Sequence, residues 1–254
     1  MKFSIVTCTW NSERYLAQSI ASVLAQDYPD IEYIFVDGGS TDGTLERIRS
    51  IPRPVRLIEN TRGGISQAMN RGIAAASGDV IAHLHSDDYY LHPRVLSLVA
   101  EALARTKRNW AIGVTVVDRS GELDYPRARP FPYSYVNFLA CRFNIAHPST
   151  FVRRTAWQEI GVFDETLQYA MDMDLWLRIS RRFDPVILDE PLAAFRVHPG
   201  SLSSANPLAS VNEHMRVRRK YLLSHPLASS LGLLRLWLEQ RRWARRQNAS
   251  WCAP

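Results

Sequence analysis

Val80-Ile81-Ala82-His83-Leu84-His85-Ser86-Asp87-Asp88 passes from an unbroken apolar run into a polar, doubly acidic turn. A short apolar run bounded by turn residues reads as a buried strand. Carboxylates that follow it emerge at the strand's carboxyl end, where open α/β sheets bind ligands. A second acidic cluster, Met171-Asp172-Met173-Asp174, opens a helix expected over 172–182. Carboxylates gathered in one place raise one another's pKa unless a divalent cation neutralises them or one serves as a proton acceptor. The two clusters point to a metal-held diphosphate facing a catalytic carboxylate. The plainer alternative for Asp87 and Asp88 is a solvated turn ahead of the next helix.

Upstream of this stretch, strands are expected over 3–9, 31–36 and 55–58. Helices are expected over 15–25, 44–51 and 65–76, the last ended by Ser77-Gly78. Downstream come a helix over 93–106, with Pro93 suited to its first turn, and a strand over 110–117. That alternation implies parallel strands joined by right-handed crossovers. The fold class expected is α/β, a Rossmann-type, mostly parallel sheet flanked by helices. Between 118 and 147 the pattern dissolves into Pro126, Pro130 and Pro132 among Tyr125, Phe131, Tyr133, Tyr135 and Phe138. Such a segment is expected to run as loop over the sheet's edge, where loops select substrates. A short strand over 149–153 and an ordered segment over 186–197 follow.

With 254 residues and 46 % hydrophobic content, the chain suffices for one large α/β domain plus appendages. Cys8, Cys141 and Cys252 are too few and too irregularly spaced for a disulfide framework or a zinc site, which fits a reducing compartment. Residues 1–6 enter a strand pattern with no signal-like apolar segment, so a cytoplasmic location is expected. The net charge of +6 is unevenly placed. From His214 onward nine Lys or Arg stand against one acid, +8, leaving 22 basic and 24 acidic residues before it, −2. A slightly acidic body with a basic tail argues against a nucleic-acid groove and for a surface anchor. In the tail, Leu227, Leu231, Leu234 and Leu238 share one helical face with Trp237 nearby, and Arg235, Arg242 and Arg246 share another. Such a helix either lies in an anionic membrane surface, at the inner face of the plasma membrane, or covers the body's own core.

Two loops carry further polar chemistry. Thr7-Cys8-Thr9-Trp10-Asn11-Ser12-Glu13 enters a helix with hydroxyl and amide side chains, able to offer backbone donors to a nucleotide. Taken alone it reads as a helix cap by Asn11 or Ser12. In Val36-Asp37-Gly38-Gly39-Ser40-Thr41-Asp42-Gly43, the glycines admit close approach of a ring and Asp37 can accept from a base or ribose, while Ser40 or Asp42 can cap the next helix.

In order and spacing these segments, together with Asn60 to Gly64, Ser77-Gly78-Asp79 and residues 195–203, resemble a family 2 glycosyltransferase of the GT-A fold. The resemblance covers about the first 205 residues. It implies a base- and ribose-binding role for Thr7, Asn11, Glu13, Asp37, Gly38 and Asp42, and places Arg62-Gly63-Gly64 beside the nucleotide sugar. The family's acidic metal motif maps onto His85-Ser86-Asp87, which implies Mg²⁺ or Mn²⁺ on Asp87, with His85, Ser86 and Asp88 near the donor. His85 stands where many members carry Asp or Asn. Asp172 matches the family's base and His198 its closing metal or diphosphate contact, while His147, Asp174 and Trp176 fall where the acceptor site is lined. Asp174 is equally suited to a salt bridge with Arg178. The implied organisation is a GT-A domain over 1–205, with a nucleotide-sugar half at 1–117 and an acceptor and base half at 118–205, followed by a basic, amphipathic helical tail at 206–254. The implied reaction is inverting transfer of a hexose from a nucleoside-diphosphate sugar, UDP-sugars favoured, to a saccharide or polyprenyl-linked acceptor in surface polysaccharide or lipopolysaccharide synthesis. A sugar-phosphate nucleotidyltransferase would need a Gly-rich run with a following basic residue near the first strand, absent here. A binding module of the same fold without turnover is the remaining alternative.

Overall fold

A computed structural model describes residues 1–126, 132–201 and 206–250, with side chains given through 242. Pro130, Phe131, Ser203, the Arg246 side chain and Cys252 lie outside the described residues. Four strands, β1 (Phe3–Thr9), β2 (Ile31–Asp37), β3 (Arg56–Ile58) and β4 (Val80–His83), alternate with helices α1 (Glu13–Leu24), α2 (Thr44–Arg49) and α3 (Ile65–Ala75). They lie parallel in the order β3-β2-β1-β4. Every residue of β1 is buried, as a central strand covered by helices on both faces requires. Phe3 and Ile5 pack with Tyr33 and Phe35 beneath α1 and α4 (Val95–Thr106), while Val6 and Cys8 pack with Ile34, Val36, Met69 and Ile73 beneath α3.

Beyond β4 the sheet becomes mixed. The next neighbour is β8 (Thr150–Arg153), antiparallel to both β4 and β6 (Trp110–Arg119). β9 (Val186–Arg196) returns parallel to β6, and the short β5 (Tyr89–Tyr90) and β7 (Glu122–Asp124) pair antiparallel with β9 and β6. A strand delivered by a loop rather than a crossover helix is free to run backwards, and β8 is delivered that way. Residue 117, the expected border between halves, falls inside β6.

The aromatic segment after β6 is less loop-like than expected. It contains α5 (Tyr135–Leu139), capped by Ser134 Oγ accepting from Asn137 N–H at 3.0 Å, and it buries Phe138 and Phe143 in the core. Two further helices surround the second acidic cluster: α6 (Arg154–Ile160) and α7 (Met171–Ser180). Pro93 precedes α4 rather than opening it, since Arg94 is the N-cap residue.

The C-terminal portion forms α8 (Pro207–Arg219) and α9 (Pro226–Ser250). α9 docks on the body, by a face other than the leucine stripe. Ala228, Ser229 and Leu236 are buried, and a Cβ at Gly232 would overlap the Leu139 carbonyl oxygen. Arg235, expected in solvent, donates to the Ala140 and Cys141 carbonyls at 3.2 and 2.9 Å. Of the predicted stripe only Leu231 packs on the core, while Leu227, Leu234 and Leu238 face outward with Trp237. No described helix is long and apolar enough to cross a membrane.

Candidate functional site

The carboxyl ends of β1 and β2 carry two loops laced together by main-chain donors. Asn11 N–H donates to Ser40 Oγ at 2.8 Å, and Thr41 N–H returns a bond to Asn11 Oδ1 at 2.9 Å. Gly43 N–H donates to Glu13 Oε2 at 3.2 Å, and Glu13 N–H to Asp42 Oδ2 at 3.1 Å. Asp37 sits at the centre, fully buried. Its Oδ1 accepts from Gly39 and Ser40 N–H at 2.8 Å, and its Oδ2 from the Thr9 and Ser40 hydroxyls at 2.8 and 2.6 Å. Through its carbonyl Asp37 also takes Thr61 N–H at 2.8 Å, fastening the third loop. That loop ends in Gly63 and Gly64, at φ +135° and +94°, values L side chains rarely adopt. The result is a rigid backbone shelf, with Trp10 projecting from it, 71 % exposed, against Gly38.

The turn after β4 meets the end of β9. Asp87 Oδ2 lies 3.0 Å from His198 Nε2, joining residues 111 positions apart. The His198 ring packs 4.7 Å from that of Tyr15. Ser86 Oγ donates to Ser12 Oγ at 2.9 Å, tying this turn to the first loop. Asp88 faces inward, 1 % exposed, and accepts Arg196 N–H at 3.0 Å. Burial, reinforced by Asp87, pushes its pKa well above the usual carboxylate value. Arg196 itself is buried beside Asp118 at 3.3 Å and Gln18 at 2.6 Å, its guanidinium 4.5 Å from the Tyr15 ring centre.

Across from this turn, Asp172 stands in the first turn of α7, where the helix dipole favours a negative charge. Its Oδ1 accepts Met173 N–H at 2.6 Å. Burial raises its pKa, opposed by the nearby His214 and His85 and by that hydrogen bond. His85 lies within electrostatic reach of both Asp87 and Asp172, although burial draws its pKa down. Behind it, the His147 ring is 4.9 Å away and the His83 ring 5.3 Å from that of His147. Burial pulls His83 down to about 3 and His147 well below its ordinary value, so this wall is neutral imidazole.

A model of Glycosyl transferase family 2 matches residues 4–165 of this chain. The chain belongs to glycosyltransferase family 2. Similar to this family 2 glycosyltransferase is the uncharacterized glycosyltransferase Rv1514c of Mycobacterium tuberculosis, 33 % identical over 197 residues, 76 % of this chain and 74 % of that one. A Rickettsia conorii glycosyltransferase is 29 % identical over 80 % of this chain, which spans only 35 % of that protein's length. Among solved structures, Staphylococcus aureus TarS 1-349 in complex with UDP-GlcNAc superposes with a TM-score of 0.72 at 22 % identity, covering 87 % of this chain and 67 % of that one. Mannosyltransferase PcManGT from Pyrobaculum calidifontis, in complex with GDP-Man and Mn²⁺, gives 0.73 at 17 % identity over 100 % of this chain and 76 % of the other. The mixed α/β sheet is thus a GT-A-type sheet.

The glycosyltransferase brings together Asn11, Glu13, Gly38, Gly63, Gly64, His85, Ser86, Asp87 and His198 around the strand ends, with Asp172 opposite. Other residues singled out from sequence have different work. Thr7 is fully buried, its hydroxyl donating to the Leu84 carbonyl at 2.6 Å. Asp37 braces the loops from within, its carboxylate shared between two backbone N–H groups and two hydroxyls, while the exposed Asp42 accepts Glu13 N–H and Thr44 N–H, one on each oxygen. Asp88 anchors β9. Asp174 is buried in a salt bridge with Arg178 at 2.9 Å and Lys220 at 3.1 Å, the structural option foreseen for it. Trp176 is stacked on Trp110 in the core, 6.1 Å between ring centres, and His147 is buried against Phe163 and Trp176, so neither is presented to an acceptor. Sequence reading gave no role to Trp10, whose signal was a tryptophan in a polar loop, nor to Tyr15, Gln18 and Arg196, which meet only through the fold.

Proposed function

We propose that the enzyme transfers a hexose from a nucleoside-diphosphate sugar, a UDP-sugar by preference, with inversion at the anomeric carbon. The base and ribose lie on the shelf formed by Asn11, Glu13, Gly38, Gly63 and Gly64, with Trp10 as a stacking face. Asp87 and His198 fit Mg²⁺ or Mn²⁺, since a hard carboxylate oxygen and a neutral imidazole nitrogen are acceptable ligands and already converge. Such an ion, when bound, neutralises diphosphate charge as the nucleotide departs. Asp172 takes the proton of the acceptor hydroxyl from the face opposite the diphosphate, and inversion follows from that opposition. The approach of Asp87 and His198 across 111 residues, with His85 in electrostatic reach of both Asp87 and Asp172, carries this reading. In domain terms, residues 1–117 hold the donor and 118–205 supply the base and acceptor side.

For the acceptor we propose a growing surface glycan or polyprenyl-linked saccharide at the inner face of the plasma membrane. The exposed face of α9 supports it. Leu227, Leu234, Trp237 and Leu238 point outward next to Arg241, whose guanidinium lies 4.1 Å from the Trp237 ring centre. Apolar anchors beside arginines suit an anionic headgroup layer.

A thermal-shift titration with UDP-GlcNAc, UDP-glucose and GDP-mannose tests the donor site. One of them is expected to raise Tm in the presence of Mn²⁺, a ligand at 100 times its Kd adding about 2.7 kcal/mol to stability. Asp87→Ala is expected to remove the metal-dependent part, and a shift indifferent to metal counts against the assignment. For the membrane reading, serine at Leu227, Leu234, Trp237 and Leu238 is expected to abolish sedimentation with anionic vesicles, because the apolar anchor is gone. Each exposed position should change stability by no more than about 0.5 kcal/mol. Vesicle binding equal to that of the parent would dismiss the anchor.

A further inference from the structure

Helix α8 lies beyond residues 4–165, the stretch matched by the family model, yet its contacts converge on the catalytic carboxylate's own support. One oxygen of Glu213, Oε2, accepts three successive backbone N–H groups, Gln168 at 3.0 Å, Tyr169 at 2.6 Å and Ala170 at 2.8 Å. Ala170 is the N-cap residue of α7, so these amides lead directly into Asp172. The N-cap Ala170 has no side-chain acceptor to offer, and the carboxylate arriving from α8 takes the Ala170 N–H, one of the four donors a helix start leaves open, together with the two amides before it. One residue on, His214 fixes its ring by donating Nδ1–H to the Ser210 carbonyl at 2.8 Å and lies within electrostatic reach of Asp172. Arg218 is buried next to Met173, the neighbour of Asp172, and donates to the Leu139 and Phe138 carbonyls at 3.1 and 3.2 Å. Lys220 then reaches Asp174.

Resting on the reading of Asp172 as base, we propose that α8 is the positioning element of that base: Glu213 clamps the amides that lead into the first turn of α7, and His214, next to it on α8, stands on the Asp172 side. Glu213 and His214 are positioning residues and touch no substrate. The catalytic unit then extends through residue 220 and does not end at 205. The charged or titratable groups facing Asp172 are His85 from the turn after β4 and His214 and Arg218 from α8. His214 acts to lower the Asp172 pKa, so removing His214 moves the acid limb of the rate profile to higher pH.

The test uses the full chain with the nucleotide sugar giving the largest Mn²⁺-dependent Tm shift among UDP-GlcNAc, UDP-glucose and GDP-mannose, and follows release of nucleoside diphosphate to water. Glu213→Ala is expected to lower kcat about 10- to 100-fold with donor KM unchanged within twofold. Glu213→Gln, whose amide oxygen can accept the same three bonds, is expected to restore most of it. His214→Gln is expected to retain donor KM and shift the acid limb of kcat upward by at least half a pH unit. A His214→Gln profile superimposed on the parent's overturns the proposal, as does Glu213→Gln no better than Glu213→Ala. Asp172→Asn, measured alongside, separates the two readings. If it turns over normally the base assignment fails; if it is inactive while both α8 positions behave as parent, only the role of α8 fails.

Discussion

The two acidic turns, Asp87-Asp88 after β4 and Asp172-Met173-Asp174 at the start of α7, share one plan. In each, one carboxylate is available to the site and its near neighbour is buried as an anchor. They differ in what holds the anchor. Asp88 accepts a single backbone N–H, from Arg196, and its other oxygen has no hydrogen-bond partner. Asp174 lies between two cations, Arg178 and Lys220. The first turn is held by shape, with β9 passing behind it. The second is held by charge, and its cations come from α7 itself and from the end of α8. An acidic cluster in sequence therefore divides into a reactive group and a structural one, and only the folded neighbours say which is which.

The largest effect should come from exchanging the reactive member of the second turn. Asp172→Asn keeps shape and removes the proton acceptor, so donor binding should persist while transfer falls by about 10²- to 10⁴-fold. Because burial raises the Asp172 pKa, the parent's rate should fall with decreasing pH through a value above the ordinary aspartate range. A pH–rate profile whose acid limb stays at or below the ordinary value would remove Asp172 as base. Normal turnover in Asp172→Asn would break the division of labour within this turn altogether.

Next comes the anchor held by charge. Asp174→Ala leaves Arg178 and Lys220 without their common partner. Arg178 keeps its bonds to the Ile160 and Val162 carbonyls, and Lys220 is half exposed and retains Asp164 at 3.8 Å. Those remaining partners reduce the penalty of a fully buried broken pair to about 2–3 kcal/mol. Urea denaturation should show a lower midpoint at unchanged slope. A change below about 0.5 kcal/mol would mean that the two cations do not hold this turn.

How far all this was legible depends on the range of the forces involved. β1 and β2 could be read to within a residue because each is dominated by β-branched and aromatic residues, Phe3-Ser4-Ile5-Val6 and Tyr33-Ile34-Phe35-Val36, bounded by polar loops, a property of the segment alone. The direction of β8 is set by the loop that delivers it, and Thr150-Phe151-Val152-Arg153 contains no record of that. Asp87 and His198 were paired through family resemblance, since no spacing rule links positions 111 apart. Helix α8 falls within the helical tail expected over 206–254, but its docking could not be read because its inward residues include Glu213 and Arg218, charges matched to backbone amides and carbonyls rather than to an oily face. Its one readable mark was the start, Asn206 capping ahead of Pro207, with Asn206 Oδ1 accepting Ala209 N–H at 3.3 Å. In α9 the leucine stripe pointed to the wrong face, because docking against the Leu139 carbonyl selects Gly232 and small neighbours.

The smallest effect should come from the anchor held by shape, and it sharpens the comparison most. Asp88→Asn keeps the volume and presents an amide oxygen to Arg196 N–H in place of the carboxylate oxygen. It also removes the desolvation that burial imposes on a charged carboxylate in that position. The two changes oppose each other, so stability is expected to remain within about 1 kcal/mol of the parent, read by urea denaturation alongside Asp174→Ala. Metal-dependent donor binding should survive as well, because Asp87 and His198 retain their approach. If Asp88→Asn instead destabilises as much as Asp174→Ala, the Asp88 carboxylate is acting as a charge toward the Arg196 guanidinium, and the first turn is held in the same way as the second.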